Sequence, residues 1–332
     1  MKIGPTELRG LMVLLILSAT PGCARSEPTI KLDDPRSPLH LVRRIELPNV
    51  KGRIDHMALD PGAGHLFVAE YGNSSVDDVD LASGKVAGRI TGLKEPQGVA
   101  WLSLVGEIAV ASGDGVVTFY RGADRQEVAT VGLGDDADNL RVDSRTGNLV
   151  VGYGSGALAV IDPTAHRVIR QVPLPAHPEA FEILGTSVFV NVPHANKIVV
   201  GDLALGRVTN TLSTGWLFGN YPMASDTASS RIAVAYRSPG TLSVIDLRSG
   251  MTAFSVSICG DADDLYFHAG QILVVCGSGA IELVDEADGH NGLRIRTEEG
   301  ARTGLLDAAH GRLFIAVPAR SESAAVWELS FR

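Results

Sequence analysis

A four-residue apolar run returns along this chain at nearly constant intervals, as Leu66-Phe67-Val68-Ala69, Ile108-Ala109-Val110-Ala111, Leu149-Val150-Val151-Gly152, Val188-Phe189-Val190-Asn191, Ile232-Ala233-Val234-Ala235, Ile272-Leu273-Val274-Val275 and Leu313-Phe314-Ile315-Ala316. The first residues of successive runs lie 42, 41, 39, 44, 40 and 41 positions apart. So narrow a spread means one structural unit used seven times. In the clearest copy, His65 to Lys85, a β run is followed by a turn-rich stretch at Tyr71 to Ser75. A second β run at Val76 to Leu81 then leads to the turn Ala82-Ser83-Gly84-Lys85. Two strands cannot bury a face alone, so each unit must stack on its neighbours.

Each unit also carries a short strand before the run, such as His56 to Asp60, and all but the seventh carry a fourth strand after it, such as Arg167 to Val172. Four antiparallel strands in forty-odd residues make a propeller blade, and seven units predict an all-β, seven-bladed β-propeller. A β-helix would need shorter repeats, and an α-solenoid would need a helical period that is absent. The 37 glycines and 5% aromatic content suit short strands joined by tight turns. The seventh unit runs out after Ala325 to Leu329, while Leu41 to Leu47 precedes the first unit as an orphan strand. The N-terminal strand is therefore expected to close the ring as the outer edge of the last blade.

Leu66-Phe67-Val68-Ala69, the Gly72-Asn73 turn, Val76 to Leu81, Gly84-Lys85 and Pro96-Gln97-Gly98-Val99-Ala100 resemble the YVTN-type repeat of YncE-like and surface-layer-type propeller proteins. The similarity runs from about Leu39 to the end. It implies an exported propeller that binds something, and it specifies architecture more than activity. Asp78 departs from the pattern, because the family usually places an apolar residue there; the third and fifth units keep one, in Val160-Ile161-Asp162 and Val244-Ile245-Asp246.

At the N-terminus, Lys2 and Arg9 precede the apolar run Leu11 to Leu17, and small residues lead to Cys23, which is the layout of a secretory signal. Ala19-Thr20-Pro21-Gly22-Cys23 resembles a bacterial lipobox, which would make Cys23 the lipidated residue and the membrane anchor. The domain reading is thus a signal peptide at 1–22, a flexible proline-containing tether at 23–38 and the propeller at 39–332. The expected location is the periplasm. Cys259 and Cys276 are expected as two buried thiols, a disulfide being the alternative that an oxidising compartment permits. Net charge is −9, and without residues 1–22 it would be −10 (27 basic, 37 acidic). With no basic run, duplex nucleic acid is not expected as a partner.

In a propeller the loop entering each first strand opens on one rim of the channel. The residues there are Asp55, His56, Gln97, Asp138, Asn139, His177, Glu179, Asn220, Asp263, Asp264 and Arg302, followed by Thr303. Turns between second and third strands add Glu70, Tyr71, Asp114, Tyr153, His194, Asn196 and Arg237. Such a ring could take a divalent cation, with Asp55, His56, Asp138, His177, Glu179 and Asp264 best placed and His56, Glu179 and Asp264 as the ligand set of a metal-dependent site. The same residue types also serve tight turns, and Arg302 favours an ion pair or a ligand's anionic group. Gly152-Tyr153-Gly154-Ser155-Gly156 and Gly277-Ser278-Gly279 read as hairpin turns rather than phosphate loops, because neither opens a helix. The function expected is a monomeric, non-catalytic module that binds a small ligand or a periplasmic protein at the channel mouth. The alternatives are a lactonase- or esterase-like metal hydrolase and an accessory protein of a periplasmic redox system.

Overall fold

A computed structural model describes residues 29–332, so the signal segment and Cys23 lie outside the described residues. Seven antiparallel blades of four strands each follow one another along the chain, the sixth extended by a fifth, parallel strand. Their first strands are Met57–Asp60, Pro96–Leu102, Ala137–Val142, Phe181–Leu184, Phe218–Asp226, Ala262–His268 and Thr303–Asp307. Each of these touches the next, and the seventh touches the first, which closes the inner ring around a channel. The protein is a seven-bladed β-propeller.

The core is divided among the blade interfaces. Each apolar cluster joins two adjacent blades: Phe67, Val76 and Ile108 lie between blades 1 and 2, and Leu158, Phe181 and Val190 between blades 3 and 4. Because a blade is buried on both faces, its middle strands are apolar without alternation, as in Ile272, Leu273, Val274 and Val275, all at 0% exposure.

Closure follows the expected route. Strand Leu39–Glu46 pairs antiparallel with Ala325–Phe331 and completes blade 7, with Leu41 opposite Leu329 and Ile45 opposite Val326. Its side chains enter two interfaces, Leu39 between blades 6 and 7 and Ile45 between blades 7 and 1. The stretch read as a tether differs from expectation. From Thr29 onward it belongs to the ring, because Thr29–Lys31 pairs parallel with the outer strand of blade 6 and Ile30 is buried in the wedge between blades 6 and 7. Backbone pairing, the buried Ile30 and the partly buried Leu32 together dock this polar, proline-containing segment.

A second correction concerns the cysteines. Cys259 and Cys276 form a disulfide, with 6.1 Å between their Cα atoms. Cys259 lies in the link into blade 6 and Cys276 ends that blade's second strand, so both belong to one blade entrance.

Candidate functional site

Four of the seven inner strands carry a register shift at the channel mouth. The shifts fall between Pro96 and Gly98, Ala137 and Leu140, Asn220 and Met223, and Ala262 and Asp264. A bulge frees residues from the ladder and re-aims their side chains. Here the freed residues include Gln97, Asp138, Asn139, Tyr221 and Asp263, and all five line one cavity of about 410 Å³. Gly98 permits the approach of blades 2 and 3 at this point, because a Cβ there would run into the Asp138 carbonyl oxygen.

The cavity brings together Asp55, His56, Gln97, Asp138, Asn139, His177, Glu179, Asp263 and Arg302 from the expected set, with His194 and Arg237 from the neighbouring turns. Two expected residues are elsewhere. Asn220 is fully buried, its amide nitrogen donating to Asn191 Oδ1 and the Lys197 carbonyl at 3.0 Å each. Asp264 faces the far side of the channel, accepts a hydrogen bond from Gly304 N at 2.7 Å and lines a separate cavity. Thr303 is also buried, its hydroxyl donating to the Ile54 carbonyl. Of the turn residues, Glu70 is sealed inside blade 1 beside Ser75, Asp114 pairs with Lys94 at 3.1 Å, Tyr153 accepts from Gln171, and Asn196 is the left-handed end of a 3-10 turn.

The ligand set suggested for a metal is thereby split, since Glu179 lines the mouth and Asp264 the separate cavity, with His56 between them. Among the described residues no group of three or more His, Cys, Asp or Glu is arranged to hold a metal ion.

Arg53, Asp136, Ala180 and Tyr221 also line the mouth, outside the set named from the sequence. Arg53 precedes the residues scanned in its loop, and Tyr221 faces the channel only because of the bulge. Arg53 pairs with Asp55 at 2.5 Å and lies 5.0 Å from the Tyr71 ring centre, while Arg237 lies over Tyr221 at 3.9 Å. Burial tends to lower the Arg53 guanidinium, but Asp55 and the other carboxylates outweigh it and raise it.

The arginines at the mouth are all taken. Arg53 holds Asp55, Arg237 bridges Asp261 (3.3 Å) and Asp263, and Arg302 binds Asp261 at 2.7 Å. On the opposite wall, the acceptors outnumber their donors. Asp138 sits between two imidazoles, with Oδ1 4.0 Å from His56 Nε2 and Oδ2 4.0 Å from His177 Nε2, both beyond hydrogen-bond range. Asp138 Oδ1 and Asn139 Oδ1 are buried and make no hydrogen bond, and Asn139 is only 3% exposed.

The charged form of His177 is favoured. Its Nδ1 donates to the Gly154 carbonyl at 2.7 Å, and its Nε2 faces the Asp138 carboxylate from 4.0 Å. Burial works against that charge, but Asp138, the Gly154 carbonyl, Asp136 and Glu179 outweigh it and push the ring up to about 9. Glu179 is pushed up to about 8, by burial first and then by Asp138, with His177 opposing. Burial lowers His56, with Arg141 and Arg53 adding to it and Asp138 opposing. At neutral pH the wall thus presents a charged His177, a neutral His56 and a protonated Glu179 around Asp138.

No protein-family model and no curated protein matches the chain. By structure it is similar to a chain titled hydrazine synthase from Kuenenia stuttgartiensis, with a TM-score of 0.72 and 16% identity over 84% of this chain and 97% of that one. At that identity the likeness is one of fold alone.

Proposed function

We propose that the protein is an exported propeller of the YVTN type that holds a small, donor-rich ligand at its channel mouth without transforming it. The observation that carries this reading is the unequal pairing of the mouth. Its three arginines are tied to aspartates, whereas the buried oxygens of Asp138 and Asn139 have no donor. An acceptor buried without a donor is costly, and a ligand N–H or O–H would remove that cost. A protonated amine suits the site best, because it would satisfy Asp138 and draw the proton from Glu179 beside it.

The Cys259–Cys276 disulfide and the basic, apolar and small-residue order of the first 22 positions support export to the periplasm, with Cys23 as the lipid-bearing residue. Palmitate incorporation that disappears in Cys23→Ala is the expected result for that part. For the ligand, titration calorimetry with putrescine, ethanolamine and glycerol covers cationic, mixed and neutral donors. Binding with proton release, lost in Asp138→Asn and weakened in Glu179→Gln while both variants stay folded, is expected. Absence of binding across the three, or equal affinity in both variants, refutes the reading.

A further inference from the structure

A second cavity of about 430 Å³ lies in the channel beside the mouth, and His56 lines both. Its wall is made by the inner strands and mixes polar with apolar surface, the apolar side chains that keep some exposure being Trp101, Val142, Phe267 and Leu305. Five titratable groups face it: Arg141 from blade 3, Glu182 from blade 4, Asp264 and Tyr266 from blade 6, and His56 from blade 1.

Arg141 is the unusual member of this set. Its Nη1 donates to the adjacent Leu140 carbonyl at 2.8 Å, and its guanidinium lies 5.8 Å from the Phe181 ring centre. Among the described residues no carboxylate comes within ion-pair distance of it, in contrast to the mouth arginines. The two acids that share its cavity are engaged elsewhere, Glu182 accepting from Ser225 Oγ at 2.8 Å and Asp264 from Gly304 N at 2.7 Å. Tyr266 donates its hydroxyl to the Gly304 carbonyl. A guanidinium with unused donors, set beside the exposed faces of Trp101, Val142, Phe267 and Leu305, matches a planar anion that carries an apolar body.

We propose that this cavity is a second binding site, which takes a monocarboxylate with an aromatic or alkyl body and anchors it on Arg141. One guanidinium supplies a two-pronged contact that fits the two oxygens of a carboxylate, and Trp101, Val142, Phe267 and Leu305 offer apolar surface to the rest of the molecule. The charge state of the cavity agrees. Burial raises Glu182, with Arg141 and Ser225 opposing, and pushes Asp264 up to about 8, with Gly304 and Arg141 opposing. Burial also keeps Tyr266 well above the phenol range and lowers His56. The neutral forms of Glu182, Asp264, Tyr266 and His56 are thus all favoured, which leaves the positive charge of the guanidinium little opposed. Once Asp264 ionises, its negative charge works against a bound anion.

Titration calorimetry on the full chain with sodium 3-phenylpropionate tests the proposal. One site per chain is expected at pH 7, weakened about tenfold or more in Arg141→Gln by loss of a charge-assisted hydrogen bond, and unchanged in the mouth variant Glu179→Gln. Gln at position 141 keeps a donor for the Leu140 carbonyl. If that variant does not fold, the wild-type protein decides: affinity should fall about tenfold between pH 7 and pH 9, through the ionisation of Asp264. No binding at millimolar concentration, equal binding by inorganic phosphate or by neutral 3-phenylpropanol, or an affinity independent of pH overturns it.

Discussion

Asp78 stands where the repeat expects an apolar side chain, and its surroundings set up a sharp test. The residue is 1% exposed, and its carboxylate meets His65 Nδ1 at 2.5 Å and Arg125 Nη1 at 2.8 Å. Arg125 comes from blade 2, so the contact clamps two blades. Opposite Asp78 in the ladder is Gly88, where a Cβ would run into the Arg125 guanidinium. Removing Arg125 leaves a buried carboxylate with His65 alone, and Arg125→Ala should cost about 3 kcal/mol, the low end for breaking a buried pair, since the Arg125 side chain is 27% exposed. Asp78→Val is the milder change. It restores the apolar residue of the repeat and leaves the partly exposed His65 and Arg125 side chains free to turn to water, for about 1 kcal/mol. Gly88→Ala should displace the guanidinium and repeat much of the Arg125 loss, yet add little to Arg125→Ala. Urea unfolding followed by circular dichroism, run as a double-mutant cycle, measures all four states. If Asp78→Val costs more than Arg125→Ala, or if Gly88→Ala and Arg125→Ala simply add, the clamp is not organised as described.

Deleting residues 39–48 removes Leu39, Ile45 and Leu47, all fully buried, and strips the outer strand from blade 7; a large fall in thermal midpoint is expected by scanning calorimetry. Paired Cys259→Ser and Cys276→Ser substitutions open a loop with a sequence separation of 17, which should lower stability by about 3 kcal/mol in denaturant titration under oxidising conditions. Glu179 and Asp264, both near 8, and His177, near 9, hold protons more tightly folded than unfolded. Their stabilisation is complete below the unfolded carboxylate value of 4.5 for Glu179 and is lost as pH rises through the folded values. Glu179→Gln should therefore flatten the decline in thermal midpoint between pH 4.5 and 8 relative to wild type, and an identical pH profile would contradict the assignment.

The ring was legible because it is written by period: seven apolar runs, one per blade, are visible without any contact between distant residues. The orphan strand at Leu39–Glu46 was legible by counting, since blade 7 lacked a partner for Ala325–Phe331. What escaped depends on three-dimensional register. Asp263 and Asp264 look equivalent in sequence, but a bulge before Asp264 sends one to the mouth and the other to the second cavity. Tyr221 faces the channel for the same reason, and no residue type marks a bulge. The disulfide escaped because pairing depends on how the link through Cys259 folds back on its blade. Ile30 carried too little signal in three residues to announce a strand.

The bulges at the mouth also bear on how such a protein can change over generations. In an ordinary strand, a residue inserted or removed shifts every later side chain to the other face. Gln97, Asp138, Asn139, Tyr221 and Asp263 lie outside the regular ladder, so their identity, and even the number of residues in each bulge, can vary while the pairs on either side keep their partners. Selection for a new ligand could act on these positions with little penalty in folding, because the seven wedges of apolar contact lie elsewhere. The mouth is thus the part of the molecule where novelty is least expensive to try, and libraries confined to these five positions would sample binding without sampling collapse of the ring.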